Sequence, residues 1–129
     1  MTTIKSFTDV PQSKKLAGIL PVETADMYYY TANGDLYKTP NVIESKDDLC
    51  VDENSVPCWS LAALLNYLRD INFFPNIEAD EDSVTMSIDY FEDEDAMLLT
   101  PMHNITTKAE TFIDACYELI LKLHDLKIL

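Results

Sequence analysis

The chain has 129 residues, 47% of them hydrophobic and 10% aromatic, with only two glycines; that size and composition suit one folded domain with one core and argue against wholesale disorder. Nine Lys and Arg stand against 23 Asp and Glu, a formal charge of −14, which is the wrong sign for direct nucleic-acid binding or for an anionic membrane surface. No apolar stretch reaches 18 residues and no basic region leads into a hydrophobic one, so neither membrane spanning nor secretion is expected and a cytoplasmic location is the default.

Residues 1–10, MTTIKSFTDV, read as a loosely held arm, which leaves 11–129 as a single α+β domain. Pro11 to Leu20 has the pattern of a short helix, with Leu16, Ile19 and Leu20 apolar and Pro21 stopping it. Asn33-Gly34 between aromatic and β-branched runs is a hairpin signal, since both residues tolerate positive φ, and it places strands near 27–31 and 35–39. Residues 40–56 read as a long loop.

PCWSLAALLNYL, residues 57–68, then opens a second helix that runs to about Asp70. Ser60 has the chemistry of an N-cap, and Trp59 and Leu64 have the spacing of a hydrophobic staple across it. INFFP ends this helix, with Phe73 and Phe74 expected to be buried. In SVTMSIDYF, Val84, Met86, Ile88 and Tyr90 share one face of a half-buried strand. FEDEDAMLLT reads as an acidic turn and a further strand near 96–100. In the last segment Thr107 and Glu110 have capping-box spacing, and Phe112, Cys116, Leu119, Leu123 and Leu126 recur at helical spacing. The expected fold is α+β: a small, mostly antiparallel sheet packed against two main helices, with a short N-terminal helix.

Catalytic chemistry finds little support in these residues. Cys58, just before a helix start, has a position that favours a thiolate, yet no histidine and no C-x-x-C accompanies it, so a structural cysteine is expected. Cys50, Cys58 and Cys116 match no common zinc or redox spacing and fit a reducing compartment. A zinc site from His103, His124 and Cys116 has the residue types and nothing more. No phosphate-binding loop or hydrolase motif is present. No catalytic residue, cofactor or metal is assigned.

The acids remain. Glu78, Asp80, Glu81 and Asp82, with Glu92, Asp93, Glu94 and Asp95, concentrate in a stretch that holds no Lys or Arg between Arg69 and Lys108. The bland reading is a pair of solvated turns. The functional reading is an electronegative interaction surface for a basic protein partner, or for a homodimer, with Tyr29 from the run Tyr28-Tyr29-Tyr30 as an exposed aromatic contribution. Two alternatives compete with it: a DNA-mimic inhibitor of a DNA-binding protein, and a metal-dependent module or enzyme using the acidic turns.

Three stretches, QSKKLAGILPVETADMYY at 12–29, VPCWSLAALLNYL at 56–68 and IDACYELILKLHDLKIL at 113–129, resemble a family of small uncharacterised proteins encoded by gut Bacteroidales and their phages or mobile elements. The resemblance implies a bacterial or phage origin, cytoplasmic expression and an accessory role, and it transfers no activity or catalytic residue.

Overall fold

The computed structural model describes residues 5–32, 35–36, 40–42, 55–91 and 102–129. The fold is α+β, with antiparallel strand pairing throughout the described residues. The chain divides into two compact units, Met1–Tyr67 and Leu68–Leu129, and each is described by itself.

In the first unit helix α1 spans Val10–Ala17. Asp9 caps it by accepting from the Gln12 N–H at 2.9 Å, while the Gln12 side chain accepts from the Asp9 N–H at 3.1 Å, a reciprocal capping box. The helix ends before Gly18, three residues short of the expected Pro21 stop, and Ile19 and Leu20 continue as turns bonded back to the Leu16 carbonyl. Strand β1 (Met27–Tyr29) pairs with β4 (Asn41–Val42) on one side and β5 (Val56–Cys58) on the other. The expected hairpin pairs β2 (Thr31–Ala32) with β3 (Asp35–Leu36), Ala32 opposite Asp35; residues 33–34 and the expected continuation over 37–39 lie outside the described residues. Strands β4 and β5 occupy the ends of the expected loop over 40–56.

Of the arm expected over residues 1–10, residues 5–9 are built into this unit. Phe7 bridges Ser60, Thr8 is fully buried, and the Thr8 N–H donates to the Trp59 carbonyl at 3.0 Å. Tyr29, Val56 and Cys58 form a core onto which Phe7, Val10 and Met27 pack.

Helix α2 spans Leu61–Asp70, as the sequence predicts. The Ser60 hydroxyl accepts from the Ala63 N–H at 3.1 Å, the third residue of the helix, which is the N-cap bond. Trp59 and Leu64, the expected staple pair, are both fully buried. At the far end Asn72 takes a φ of 66°; its N–H bonds to the Arg69 carbonyl and that of Phe73 to the Leu68 carbonyl, the paired bonds of a Schellman end.

The second unit is a meander. Strands β6 (Asn76–Ala79), β7 (Val84–Phe91) and β8 (Met102–Ala109) lie in that order, and eight residue pairs join β7 to β8. Helix α3 (Phe112–Asp125) packs against β7 and β8. Val84, Met86 and Ile88 face inward with Ile105 and Thr107, against Ile113, Ala115, Cys116, Leu119, Ile120 and Leu123 of the helix, all buried. The alternation predicted for β7 is thus the core face of the sheet.

Two strands differ from expectation. β6 lies where only a turn was expected. β8 runs through Thr107, so the expected Thr107–Glu110 capping box does not form. Thr107 faces inward and its hydroxyl donates to the Ala115 carbonyl at 2.8 Å. The cap is Thr111, which accepts from the Asp114 N–H at 3.1 Å. The alternation Ile105-x-Thr107 along the β7 ladder outweighs a local spacing that two threonines could satisfy equally well. The strand expected near 96–100 lies outside the described residues.

Candidate functional site

Cys58 stands at the end of β5 with its thiol enclosed. It donates to the Thr8 carbonyl at 3.3 Å and lies 3.6 Å from the Thr8 hydroxyl. Burial pushes this thiol up, and hydrogen bonds from Thr8, Ser13 and Tyr29 only offset part of that. A group fully buried and held protonated is a poor nucleophile. Burial likewise pushes Cys116 up to about 12.

What Cys58 belongs to is a polar node. The Thr8 hydroxyl bonds the Ser13 hydroxyl at 2.7 Å and accepts from the Trp59 N–H at 3.2 Å. The Tyr29 hydroxyl donates to the Thr8 carbonyl at 2.7 Å. Tyr29 is 1% exposed, so the ring expected on an interaction surface is instead a core residue with its phenol satisfied; burial raises its pKa. Tyr28 is buried too, and Tyr30 is the half-buried member of the run. Nearby, the Trp59 indole donates to the Thr24 hydroxyl at 2.9 Å, and Asp26 accepts from both the N–H and the hydroxyl of Ser60. Each of these groups is used in closing the fold.

The exposed chemistry lies in the second unit, on the β6–β7 hairpin. All four residues of β6 are exposed, as are Asp80, Glu81 and Asp82 in the turn. Asp80 builds that turn: its Oδ1 accepts from the N–H groups of Asp82 and Ser83, both at 2.8 Å, while its own N–H donates to the Ser83 carbonyl. These backbone donors, with a smaller pull from Lys108, hold its carboxyl below the usual aspartate value. Glu78, Glu81 and Asp82 add charge to the same hairpin. The second acidic group, Glu92 to Asp95, lies outside the described residues.

The same segment carries two exposed large apolar side chains that the sequence reading did not place there. Phe74, expected to be buried, is 67% exposed, and Ile77 is 41% exposed. Phe74 turns outward because the Schellman end at Asn72 redirects the chain after α2. The signal for β6 was present but short: Pro75, then Ile77 and Ala79 alternating with Asn76 and Glu78, then an aspartate suited to an Asx turn.

The histidines do not form a shared site with these groups. His103 stacks on Tyr90, ring centroids 5.2 Å apart, in register across β7 and β8. His124 lies on the exposed side of α3. Among the described residues, no cluster of three His, Cys, Asp or Glu side chains is placed to hold a metal ion, and no helix is long and apolar enough to cross a membrane. The described cavity, about 480 Å³, is an open hollow between β8 and the end of α3, lined by Asn104, Ile105, Thr106, Lys122, Asp125 and Leu126; it gathers no catalytic pair.

No family model, curated protein or solved structure matches the chain.

Proposed function

We propose that this is a small acidic protein-interaction or accessory protein, acting through the β6–β7 hairpin on a basic protein partner and carrying no catalytic activity. The observation behind this reading is the concentration of Glu78, Asp80, Glu81 and Asp82, all exposed, in a segment that also exposes Phe74 and Ile77. Carboxylates steer a basic partner at long range, and apolar side chains supply area that holds it once docked. The enclosure of Cys58 in a hydrogen-bonded node supports a structural use for the residue best suited to chemistry. The resemblance of three stretches to small proteins of mobile elements fits an accessory role.

The test is affinity capture from bacterial lysate at graded salt, comparing the native chain with a variant carrying Glu78→Gln, Asp80→Asn, Glu81→Gln and Asp82→Asn. Capture of a basic protein that weakens with salt and with neutralisation supports the reading. Recovery of nothing at low salt overturns it. Capture restricted to DNA-binding proteins and competed by duplex DNA would favour the DNA-mimic alternative, and heat on titration with calcium, magnesium or zinc the metal-dependent one.

A further inference from the structure

We propose that the outer edge of β6, which pairs with β7 alone among the described residues, receives an extended basic segment of the partner as an added antiparallel strand, its side chains alternating basic and apolar. This rests on the acidic-interaction reading above and gives it a geometry.

The sheet order β6-β7-β8 leaves two edges. In an antiparallel ladder, residues alternate between those whose N–H and C=O bond the neighbouring strand and those whose groups point away. Asp80 and Ser83 form a bonded pair through the Asp80 N–H. Counting back through the register, Glu78 with Thr85 and Asn76 with Ser87 are bonded pairs. The N–H and C=O of Ile77 and Ala79 therefore point to the open edge. The same count leaves Asn104 and Thr106 outward on β8, and there Lys122 donates to the Thr106 carbonyl at 3.0 Å. The β8 edge is thus partly occupied by a lysine of the same unit. Among the described residues β6 pairs with β7 alone, and all four of its residues are exposed. Pro75 falls at the next outward position, where its missing N–H costs the sheet nothing and marks where an added strand loses a donor.

The side chains specify the occupant. Paired residues share a face, so Ile77 and Ala79 lie on the face of Met86 and Val84, while Glu78 lies on the opposite face with Thr85. An added strand would set an apolar side chain beside Ile77 and a basic one beside Glu78, with Asp80, Glu81 and Asp82 at the turn attracting further positive charge. A second copy of this chain fits less well, because edge-to-edge pairing centred on Glu78 or Ala79 sets Glu78 against Glu78 or Asp80 of the other copy, which leaves only the register centred on Ile77 without a like-charge pair. The acids thereby discourage self-association and leave the edge open to a basic segment.

A fluorescently labelled peptide of alternating arginine and valine is the probe, with a control of the same composition ordered as one arginine block and one valine block. The alternating peptide is expected to raise anisotropy at low salt and to bind at least about tenfold more tightly than the block peptide. Ala79→Pro removes one outward N–H and leaves the β7 ladder intact, so it should weaken binding by about tenfold, the effect of losing an edge hydrogen bond and its geometry. In the native chain, exchange of the Ile77 and Ala79 amides should slow when the peptide binds, a readout that does not depend on any variant folding. Equal binding of both peptides, unaffected by Ala79→Pro and without slowed exchange, overturns strand addition and leaves the acidic-surface reading standing. Binding of neither peptide at low salt overturns both. Concentration-dependent dimerisation in sedimentation that slows the same two amides assigns the edge to a second copy and overturns the basic-segment proposal.

Discussion

The two units close their cores by different means. In the first, three-residue strands β1 and β5 meet residues 5–9 and α1. Such short strands specify register weakly, because a slip forfeits few ladder bonds. Thr8 compensates with directional bonds, its hydroxyl and carbonyl serving Ser13, Trp59, Tyr29 and Cys58. In the second unit the eight-pair ladder between β7 and β8 specifies its own register, and the α3 stripe covers one face. The polar node thus sits where the regular ladder is short.

The largest expected effects lie in the two cores. Trp59→Ala should cost about 3–5 kcal/mol, since the indole is fully buried and its N–H is bonded. Leu119→Ala should cost about 2–5 kcal/mol in the α3 stripe. Urea denaturation gives both costs, and hydrogen exchange should show protection lost in β1 and β5 for the first and in β7 and β8 for the second.

A paired substitution sharpens the contrast. Thr8→Val keeps the shape but leaves the buried Trp59 N–H without its hydroxyl acceptor and the Ser13 hydroxyl with only its longer bond to the Thr8 carbonyl, for about 1–3 kcal/mol. Thr107→Val removes a bond to the Ala115 carbonyl, an acceptor already inside helix α3, and should cost at most about 1 kcal/mol. Equal costs would break the comparison. Alkylation of the native protein, read by mass spectrometry, should label neither Cys58 nor Cys116 until denaturant is added, because burial holds both thiols protonated.

The smallest effect is a pH dependence in the hairpin. The Asp80 carboxyl is held below its ordinary value by the N–H groups of Asp82 and Ser83. A group with a depressed folded pKa stabilises the fold above its unfolded pKa and loses that contribution as pH falls through the folded value. The native chain should therefore lose slightly more stability on acidification than Asp80→Ala, seen as a converging urea midpoint between neutral and strongly acidic pH. Parallel curves would show that the turn bonds contribute nothing.

Helix α2 with its Ser60 cap, the inward face of β7 and the middle of the α3 stripe were legible because each is written in contiguous residues with its own period, whereas Phe112 and Leu126, expected in that stripe, are exposed at the two ends of the helix. The Asn33-Gly34 signal foretold the β2–β3 pairing for the same reason. Other features depended on what lay across from them. Thr107 and Thr111 are equivalent as local caps, and the β7 ladder assigned the first to the sheet. Three adjacent tyrosines share one composition, and the Thr8 carbonyl drew the phenol of Tyr29 inward. Phe73 and Phe74 are chemically identical and both were expected to be buried, but after the turn at Asn72 Phe73 is half-buried and Phe74 exposed. The acidity of the 78–82 stretch was visible from composition alone, but that it borders an open strand edge with exposed Ile77 was decided by sheet order, which arises from pairing between distant segments. Local period determined which segments become helix or strand; long-range hydrogen bonding determined which side of each faces water.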